Sequence, residues 1–362
     1  MDHNLVFVAV LVMQFVLIIA SVASNLPKFP ALMAFGDSTM DTGNNNFIAY
    51  SVLRSDHSPY GVSFPGAVST GRFSDGRLIP DFLANSLGIK DALPPFLDPS
   101  LTKDDLATGV CFASAGSGFD EVTNREAGVV PVMKQLDMFR KYINKLSGLV
   151  GKEEASWIVG EALYIISAGT NDFAFSYYDV HRKSKEFRNI SSYQDFILTH
   201  VHDFVQELEK LGARKMVVMG LVATGCLPIQ VTMASRSPLN PSSSSSCIEQ
   251  QNLDSQAYNL KLLDLLGSLQ ASLSLGAILR RGNLYDPFLD MLTNPLKYGF
   301  KETRKGCCGT GIVETAYLCN EMSRTCPTAS DYLFWDCIHP SQPAYSFLSQ
   351  YLLDQLILPF FT

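Results

Sequence analysis

The sequence predicts an α/β protein in which a parallel sheet carries helices on both faces. Short apolar runs with the character of buried strands lie at residues 31–35, 109–113, 163–166 and 215–219. Segments with amphipathic helical spacing separate or follow them, most clearly at residues 79–87, 131–149 and 193–211. A strand, a crossover and another strand therefore recur at least three times, which is the pattern of parallel sheets.

The connections and the C-terminal part complete this prediction. After the first strand, Gly43 and the three asparagines that follow it predict a turn-rich loop. Residues 50–76 form a long connection of the kind that usually lines a site. A long helix is expected at residues 253–275 and a fifth strand within 276–286, although Arg280-Arg281-Gly282 is a poor strand interior. A final helix is expected to run to about residue 357.

Size and charge restrict the class of protein. The chain has 362 residues, of which 47% are hydrophobic, and this is enough for one large domain or two small ones. The net charge is −7, and no block of lysine and arginine stands out. A nucleic-acid partner is therefore not expected.

The N-terminus has the pattern of an export signal. Residues 5–20 are almost unbroken apolar sequence, and Ser21-Val22-Ala23 places small residues where a signal peptidase cleaves. The run is short for a membrane span of about 20 residues, which favours a signal peptide. Asp2 and His3 fit a signal peptide less well, because they stand where lysine or arginine is usual. We predict a cleaved signal peptide at residues 1–23, followed by one domain at 24–362 and secretion from the cell; the alternative is a retained anchor.

The cysteines and one glycosylation sequon agree with export. The chain has 8 cysteines, which would pair in an oxidising compartment. Cys226 and Cys247 bracket a polar loop and are predicted to pair. A late cluster comprises Cys307, Cys308, Cys319 and Cys326, and we predict that it forms two disulfides. The alternative is a zinc site, whose usual ligand spacing the adjacent cysteines at the start of the cluster do not fit. Cys111 and Cys337 either pair or remain buried thiols, and Asn189 begins the sequon.

Ser38 and His339 are the candidates for nucleophilic chemistry. Ser38 lies just past the first predicted strand, at the edge where open α/β sheets place their ligands. A serine hydroxyl needs a base, and the base needs an orienting partner. Asp336 lies three residues before His339, so its carboxylate can face the imidazole. The alternative is a helix-capping aspartate with an incidental histidine; His181, two residues after Asp179, is a weaker candidate base.

Donors for an oxyanion are predicted at the ends of three successive strands. They are the backbone N–H groups of Ser38 and Gly116 and the side-chain amide of Asn171. Taken singly, Gly116 and Asn171 are also ordinary turn residues. The nucleophile elbow of α/β-hydrolases needs Gly-x-Ser-x-Gly, and Ser38 has Gly36 before it but Met40 after it, so that arrangement is absent.

Four sequence blocks resemble one known family. Residues 35–38 with 41–46 look like the first block of the plant GDSL esterase/lipases, a branch of the SGNH hydrolases, and residues 112–118 resemble the second. Residues 169–172 and 336–340 match the third and last blocks, while 70–77 and 307–311 are typical of the plant members. The blocks occur in the right order over nearly all of the chain that follows the signal peptide.

The resemblance implies a three-layer α/β/α, flavodoxin-like fold and ester hydrolysis without a metal or cofactor. It implies Ser38 as nucleophile, His339 as base, Asp336 as its orienting residue, and Gly116 and Asn171 as the oxyanion hole. Among family members, the extracellular lipase type is the most similar. Two departures are the arginines in the fifth strand and the cysteine at position 337, where another residue is commoner.

Two other functions remain open from the sequence. One is an acyltransferase that uses the same residues with a sugar or alcohol acceptor, and the other is a catalytically silent lipid-binding or wall-binding protein. Aromatic residues between 172 and 190 either line an acyl pocket or pack a loop. We expect a small-molecule or lipid ester as the binding partner, transient contact with a lipid or cell-wall surface, and a monomeric protein.

Overall fold

The computed structural model describes residues 29–125, 127–178, 187, 189–236 and 246–361. The predicted signal peptide at residues 1–23 lies outside this part of the chain, as does His181. Within the described ranges, no helix combines the length and the apolar character that crossing a membrane requires.

The main sheet of the described chain is parallel, and it contains four strands in the order β1-β2-β3-β4. These are β1 (Leu32–Gly36), β2 (Leu163–Ser167), β3 (Lys215–Met219) and β4 (Ile278–Gly282). In β1 and β2, Phe35 pairs with Ile166 and Gly36 with Ser167, so both strands end at the same edge. A smaller parallel pair comprises β5 (Glu302–Gly306) and β6 (Tyr332–Phe334).

The strand predicted at residues 109–113 is not continuous. This segment runs parallel to β1 on its outer side, and Phe112 N–H donates to the Ala34 carbonyl at 2.7 Å, but it forms only isolated bridges at Cys111. On its other side the segment is paired with Pro95, which has no N–H to donate. The side-chain amide of Asn44 donates to the carbonyls of Cys111 and Ala113 in the segment. The segment nevertheless fills a position beside β1. If it is counted as the second strand in chain order, with β2, β3 and β4 as the third, fourth and fifth, the order across the sheet is 2-1-3-4-5, that of flavodoxin-like folds.

Helices connect the strands and cover both faces of the sheet. In chain order they are α1 (Ile79–Ser86), α2 (Lys103–Ala107), α3 (Glu121–Asn124), α4 (Val132–Val150), α5 (Lys152–Glu161), α6 (Ile190–Lys210), α7 (Pro228–Arg236), α8 (Glu249–Ser272), α9 (Tyr285–Thr293) and α10 (Gln342–Leu352). Single π-helical turns follow β2 at Asp172–Tyr177 and follow α10 at Leu353–Ile357. The helices predicted from periodicity are all present, with shifted ends.

Alternating strand residues build the three layers. Met33 and Phe35 of β1 face a core that includes buried residues of α4, α6 and α8. Leu32 and Ala34 face the opposite core, which includes buried residues of α1, α9 and α10. Because parallel strands covered by helices are apolar on both faces, they read as continuous hydrophobic runs in the sequence. The predicted three-layer α/β/α fold is confirmed.

The fifth predicted strand forms despite its arginines. β4 lies at the edge of the main sheet and pairs only with β3 among the described strands, so Arg280 can remain exposed. The outward N–H of Leu279 is taken by the side chain of Gln270 in α8, at 2.7 Å. An edge strand has a neighbouring strand on one side only, and charged side chains are common in such strands, which explains why this sequence is tolerated there.

Three disulfides are present in the described chain. The predicted pair Cys226–Cys247 forms, and the late cluster makes Cys307–Cys326 and Cys308–Cys319. Cys111 and Cys337 are buried thiols and are not bonded to each other.

Candidate active site

Ser38 emerges from a sharp turn at the end of β1. Gly36 has a φ of +133°, and a Cβ atom there would lie 1.8 Å from the Ser167 carbonyl oxygen of β2. Only glycine allows the two strands to approach this closely at their ends. The Gln135 side chain from α4 donates to the carbonyl of Gly36 and accepts its N–H, each at 2.8 Å. The turn therefore places Ser38 at the boundary between β1 and β2, where the strand order reverses.

His339 and Asp336 lie in one tight turn after β6. The Oδ1 atom of Asp336 accepts the backbone N–H groups of Ile338 and His339, each at 2.8 Å. Nδ1 of His339 lies 2.7 Å from Oδ2 of Asp336, and Nε2 lies 2.8 Å from Oγ of Ser38. The structure thus joins the hydroxyl, imidazole and carboxylate in one continuous chain of hydrogen bonds across 301 residues of sequence.

The carboxylate of Asp336 is completely buried. Burial by itself raises the pKa of this group, but the charge of His339 and the hydrogen bonds from His339 and Ile338 outweigh burial and hold the pKa below its ordinary value. Two hydroxyl groups, from Tyr60 and Thr315, also lie within hydrogen-bond distance of Oδ2. An ionised carboxylate is the form that can fix a proton on the Nδ1 atom of His339.

Gly116 and Asn171 line the same cleft as Ser38 and His339. The Asn171 amide donates one hydrogen to the Ser117 carbonyl at 2.9 Å, which leaves its second hydrogen for a ligand. Gly116 has a φ of +82°. Within the described ranges, no group accepts the backbone N–H of Ser38 or of Gly116. These N–H groups can therefore serve an oxygen atom bound in the cleft.

Buried carboxylates hold the loops that carry these donors. Asp41 accepts the N–H of Ala115 at 2.9 Å, directly before Gly116. Asp172 accepts the N–H groups of Phe119 and Asp120 and the hydroxyl of Thr123, at 2.7 to 3.0 Å. Burial raises the pKa of Asp41 to about 6 and that of Asp172 to about 7. Asp172 therefore connects the loop that follows β2 to the loop that follows residues 109–113.

The cleft has a volume of about 380 Å³, which is within the size range of small-ligand sites. Around the polar groups, its walls are aliphatic and aromatic; they include Val52, Leu53, Phe73, Ala127, Phe175, Ile229 and Ile338. The arrangement can bind an apolar group beside a hydroxyl that has a base and free N–H donors next to it. No group of side chains suited to a metal ion occurs among the described residues.

The aromatic residues after Asn171 divide between the two interpretations of them. Phe175 lines the cleft, whereas Phe173 is buried and packs edge-on against Tyr193 and Tyr258. Three contributors to the site were missed by the sequence analysis. Tyr60 lies within the long connection at residues 50–76, but it belongs to no motif, and neither do Thr315 and Ile229, so no local pattern singles them out.

Comparison with known proteins places this chain in a family. The family model "GDSL-like Lipase/Acylhydrolase" matches residues 32–352. The chain is 49% identical to the Arabidopsis thaliana protein GDSL esterase/lipase At1g06990 over 359 residues, which cover 98% of each chain. It is 49% identical to GDSL esterase/lipase At2g30220 of the same plant over 330 residues, covering 91% of this chain and 90% of the relative. The chain therefore belongs to the GDSL lipase/acylhydrolase family and is a carboxylic ester hydrolase.

Proposed function

We propose that this protein hydrolyses acyl esters through a covalent acyl-enzyme on Ser38, with His339 as general base and Asp336 as its orienting residue. The observation that carries the proposal is the pair of short contacts on the two ring nitrogens of His339, 2.8 Å to the Ser38 hydroxyl and 2.7 Å to Asp336. When the single proton of a neutral ring is on Nδ1, directed to Asp336, Nε2 can accept the proton of Ser38.

The reaction then proceeds in two halves. Oγ of Ser38 attacks the ester carbonyl while Nε2 of His339 takes the hydroxyl proton, and the same proton passes to the departing alkoxide as the carbon–oxygen bond breaks. A water molecule next gives a proton to Nε2 and attacks the acyl-enzyme, and the proton returns to Oγ as the acid leaves. Asp336 stabilises the imidazolium in both halves without becoming protonated.

The N–H groups of Ser38 and Gly116 and the amide of Asn171 are the proposed oxyanion hole. Support comes from their common position on the cleft and from the absence of another acceptor for the two backbone groups within the described chain. The apolar walls suit a hydrophobic acyl or alcohol group, since the cleft must bury most of a small ligand to bind it.

We also propose that the protein is secreted after removal of residues 1–23, and that residues 24–362 form one domain. The three disulfides of the described chain suit an oxidising compartment. Asn189 is exposed at the start of α6, where its Oδ1 caps the helix by accepting the Ser192 N–H at 2.9 Å. The amide nitrogen of Asn189 remains available for a glycan.

The test is hydrolysis of p-nitrophenyl butyrate by Ser38→Ala. We expect turnover to fall by about 10⁴ or more, because the nucleophile is lost while the cleft remains. Ser349→Ala is the matched control, since Ser349 is also buried but bonds only to the Tyr345 carbonyl within α10. The control should retain wild-type turnover. Wild-type turnover in Ser38→Ala would overturn the proposal.

A further inference from the structure

We propose that Tyr60 and Thr315 are positioning residues of the catalytic centre, whose hydroxyl groups fix the Asp336 carboxylate so that Oδ2 faces Nδ1 of His339. This inference rests on the proposed triad and extends it by two side chains that belong to none of the sequence blocks. The hydroxyl of Tyr60 donates to Oδ2 at 2.8 Å, and that of Thr315 does so at 3.0 Å.

The two oxygens of the carboxylate are held by different parts of the chain. Oδ1 accepts backbone N–H groups from the turn that contains Asp336 itself. Oδ2 accepts its hydroxyl bonds from residues 276 and 21 positions away in sequence. Oδ2 is also the oxygen nearer to Nδ1 of His339, at 2.7 Å against 2.9 Å for Oδ1. The oxygen that meets the imidazole is therefore the one held by tertiary contacts.

Tyr60 is itself fixed in a donor orientation. Its oxygen accepts the backbone N–H of Ala316 at 2.9 Å, so its own hydrogen is directed to the carboxylate. Burial and the charge of Asp336 raise the pKa of Tyr60 well above its ordinary value, which keeps the hydroxyl protonated. The ring is 1% exposed and packs against Phe73 and Trp335. Tyr60 consequently has little freedom to turn away.

The loop that supplies the other contacts is equally constrained. Thr315 and Ala316 lie between the two cysteines of the Cys308–Cys319 disulfide. Ala316 has a φ of +48°, an uncommon conformation for a residue with a side chain, and this turn directs its N–H to Tyr60. A strained residue held by a cross-link is typical of a loop whose geometry is needed for function.

The effect on catalysis follows from the step in which the imidazolium forms. Rotation of the carboxylate would weaken its bond to Nδ1 most when the ring becomes charged, which happens in the transition state. Tyr60 does not line the cleft, so substrate binding should be unaffected by its hydroxyl. Its removal should therefore lower kcat and leave KM unchanged.

The pH profile separates positioning from a general structural role. Among the described residues, and apart from Tyr60, the ionisable groups that interact with Asp336 and His339 are Asp37 after β1, Tyr345 of α10 and Cys337 in the turn itself. All of these remain when the Tyr60 hydroxyl is removed. A carboxylate that turns away from Nδ1 stabilises the protonated imidazole less. The acid limb of kcat/KM should therefore move to lower pH.

The experiment compares Tyr60→Phe with Tyr142→Phe. Tyr142 is also buried, and its hydroxyl donates to the Leu106 carbonyl at 2.7 Å, away from the cleft. We expect Tyr60→Phe to lower kcat about tenfold, with KM retained and the acid limb shifted, while Tyr142→Phe matches the wild type. A folded Tyr60→Phe enzyme with wild-type kcat and acid limb would overturn the inference, as would equal losses in both variants.

A second pair of variants does not depend on Tyr60→Phe being folded. Thr315→Val removes the hydroxyl with almost no change of shape, and Thr315→Ser restores it. We expect a several-fold lower kcat and a shifted acid limb in the valine variant, with recovery in the serine variant; identical behaviour of the two would contradict the inference. Ser38→Ala is assayed in parallel to distinguish the two hypotheses. If the proposed triad is wrong, Ser38→Ala stays active; if only the positioning role is wrong, Ser38→Ala is inactive.

Discussion

Replacement of Asp336 by asparagine should inactivate the enzyme by reversing one hydrogen bond. The carboxylate accepts every bond that it makes, from two backbone N–H groups, from two hydroxyl groups and from His339. An amide has one oxygen and one NH₂ group, and the NH₂ group can only donate. If the amide oxygen keeps the two backbone bonds of Ile338 and His339, the NH₂ group faces Tyr60, Thr315 and the imidazole.

The magnitude follows from the tautomer that results. An NH₂ group facing Nδ1 of His339 forces that nitrogen to accept, and the ring proton moves to Nε2. Nε2 then points a hydrogen at Oγ of Ser38 across the 2.8 Å contact and cannot remove the serine proton. Loss of the correct tautomer lowers kcat by about 10⁴, or about 5 kcal/mol in activation free energy.

The assay is hydrolysis of p-nitrophenyl butyrate at neutral pH by Asp336→Asn, with circular dichroism as a check of folding. Asp254→Asn is the control, because Asp254 is also buried and accepts the Tyr178 hydroxyl at 2.7 Å but does not line the cleft. The control should retain wild-type kcat. If folded Asp336→Asn keeps a tenth or more of wild-type kcat, the assigned hydrogen-bond pattern is wrong.

Three further changes test other parts of the site. Asn171→Ala should lower kcat by about 10² to 10³ with little change in KM, because an oxyanion donor acts mainly in the transition state; a change confined to KM would contradict that role. Burial raises the pKa of Asp172 in the folded protein to about 7, above the value of 3.8 taken for the unfolded chain. The folded state therefore binds the additional proton, and the free energy of unfolding should fall as pH rises from about 4 to about 7. Urea unfolding across this range should show a flatter slope for Asp172→Asn, and an unchanged slope would refute the assignment. Joint replacement of Cys308 and Cys319 by alanine should lower kcat more than loss of the Cys226–Cys247 disulfide, because only the former closes the loop that contacts Asp336. Equal kcat values for the two double variants would argue against this coupling.

The edge of the sheet that carries the site could be predicted because it depends on local pattern. Buried strands are recognisable as apolar runs, and the carboxyl ends of parallel strands meet at one edge. Ser38 and Asn171 follow β1 and β2, and these strands are direct neighbours in the sheet. The turn that joins Asp336 to His339 is also local, since the two residues lie three positions apart.

The sequence could not reveal interactions that depend on tertiary packing. The segment at 109–113 has the composition of a strand, but side-chain and proline partners interrupt its ladder. The arginines of β4 argue against a strand until its edge position is known. Tyr60 is one of 14 tyrosines and meets Asp336 across 276 residues of sequence. Contacts of this kind depend on tertiary packing, and no short sequence motif predicts them.

Covalent labelling with a fluorophosphonate tests the central claim most directly. The intact enzyme would be labelled, digested and analysed by mass spectrometry to locate the adduct. The account predicts one adduct, on the Ser38 hydroxyl, which forms at the rate of inactivation, is absent in Ser38→Ala and forms far more slowly in Asp336→Asn. An enzyme that hydrolyses esters but carries the adduct on another residue, or is inactivated without modification of Ser38, would contradict it.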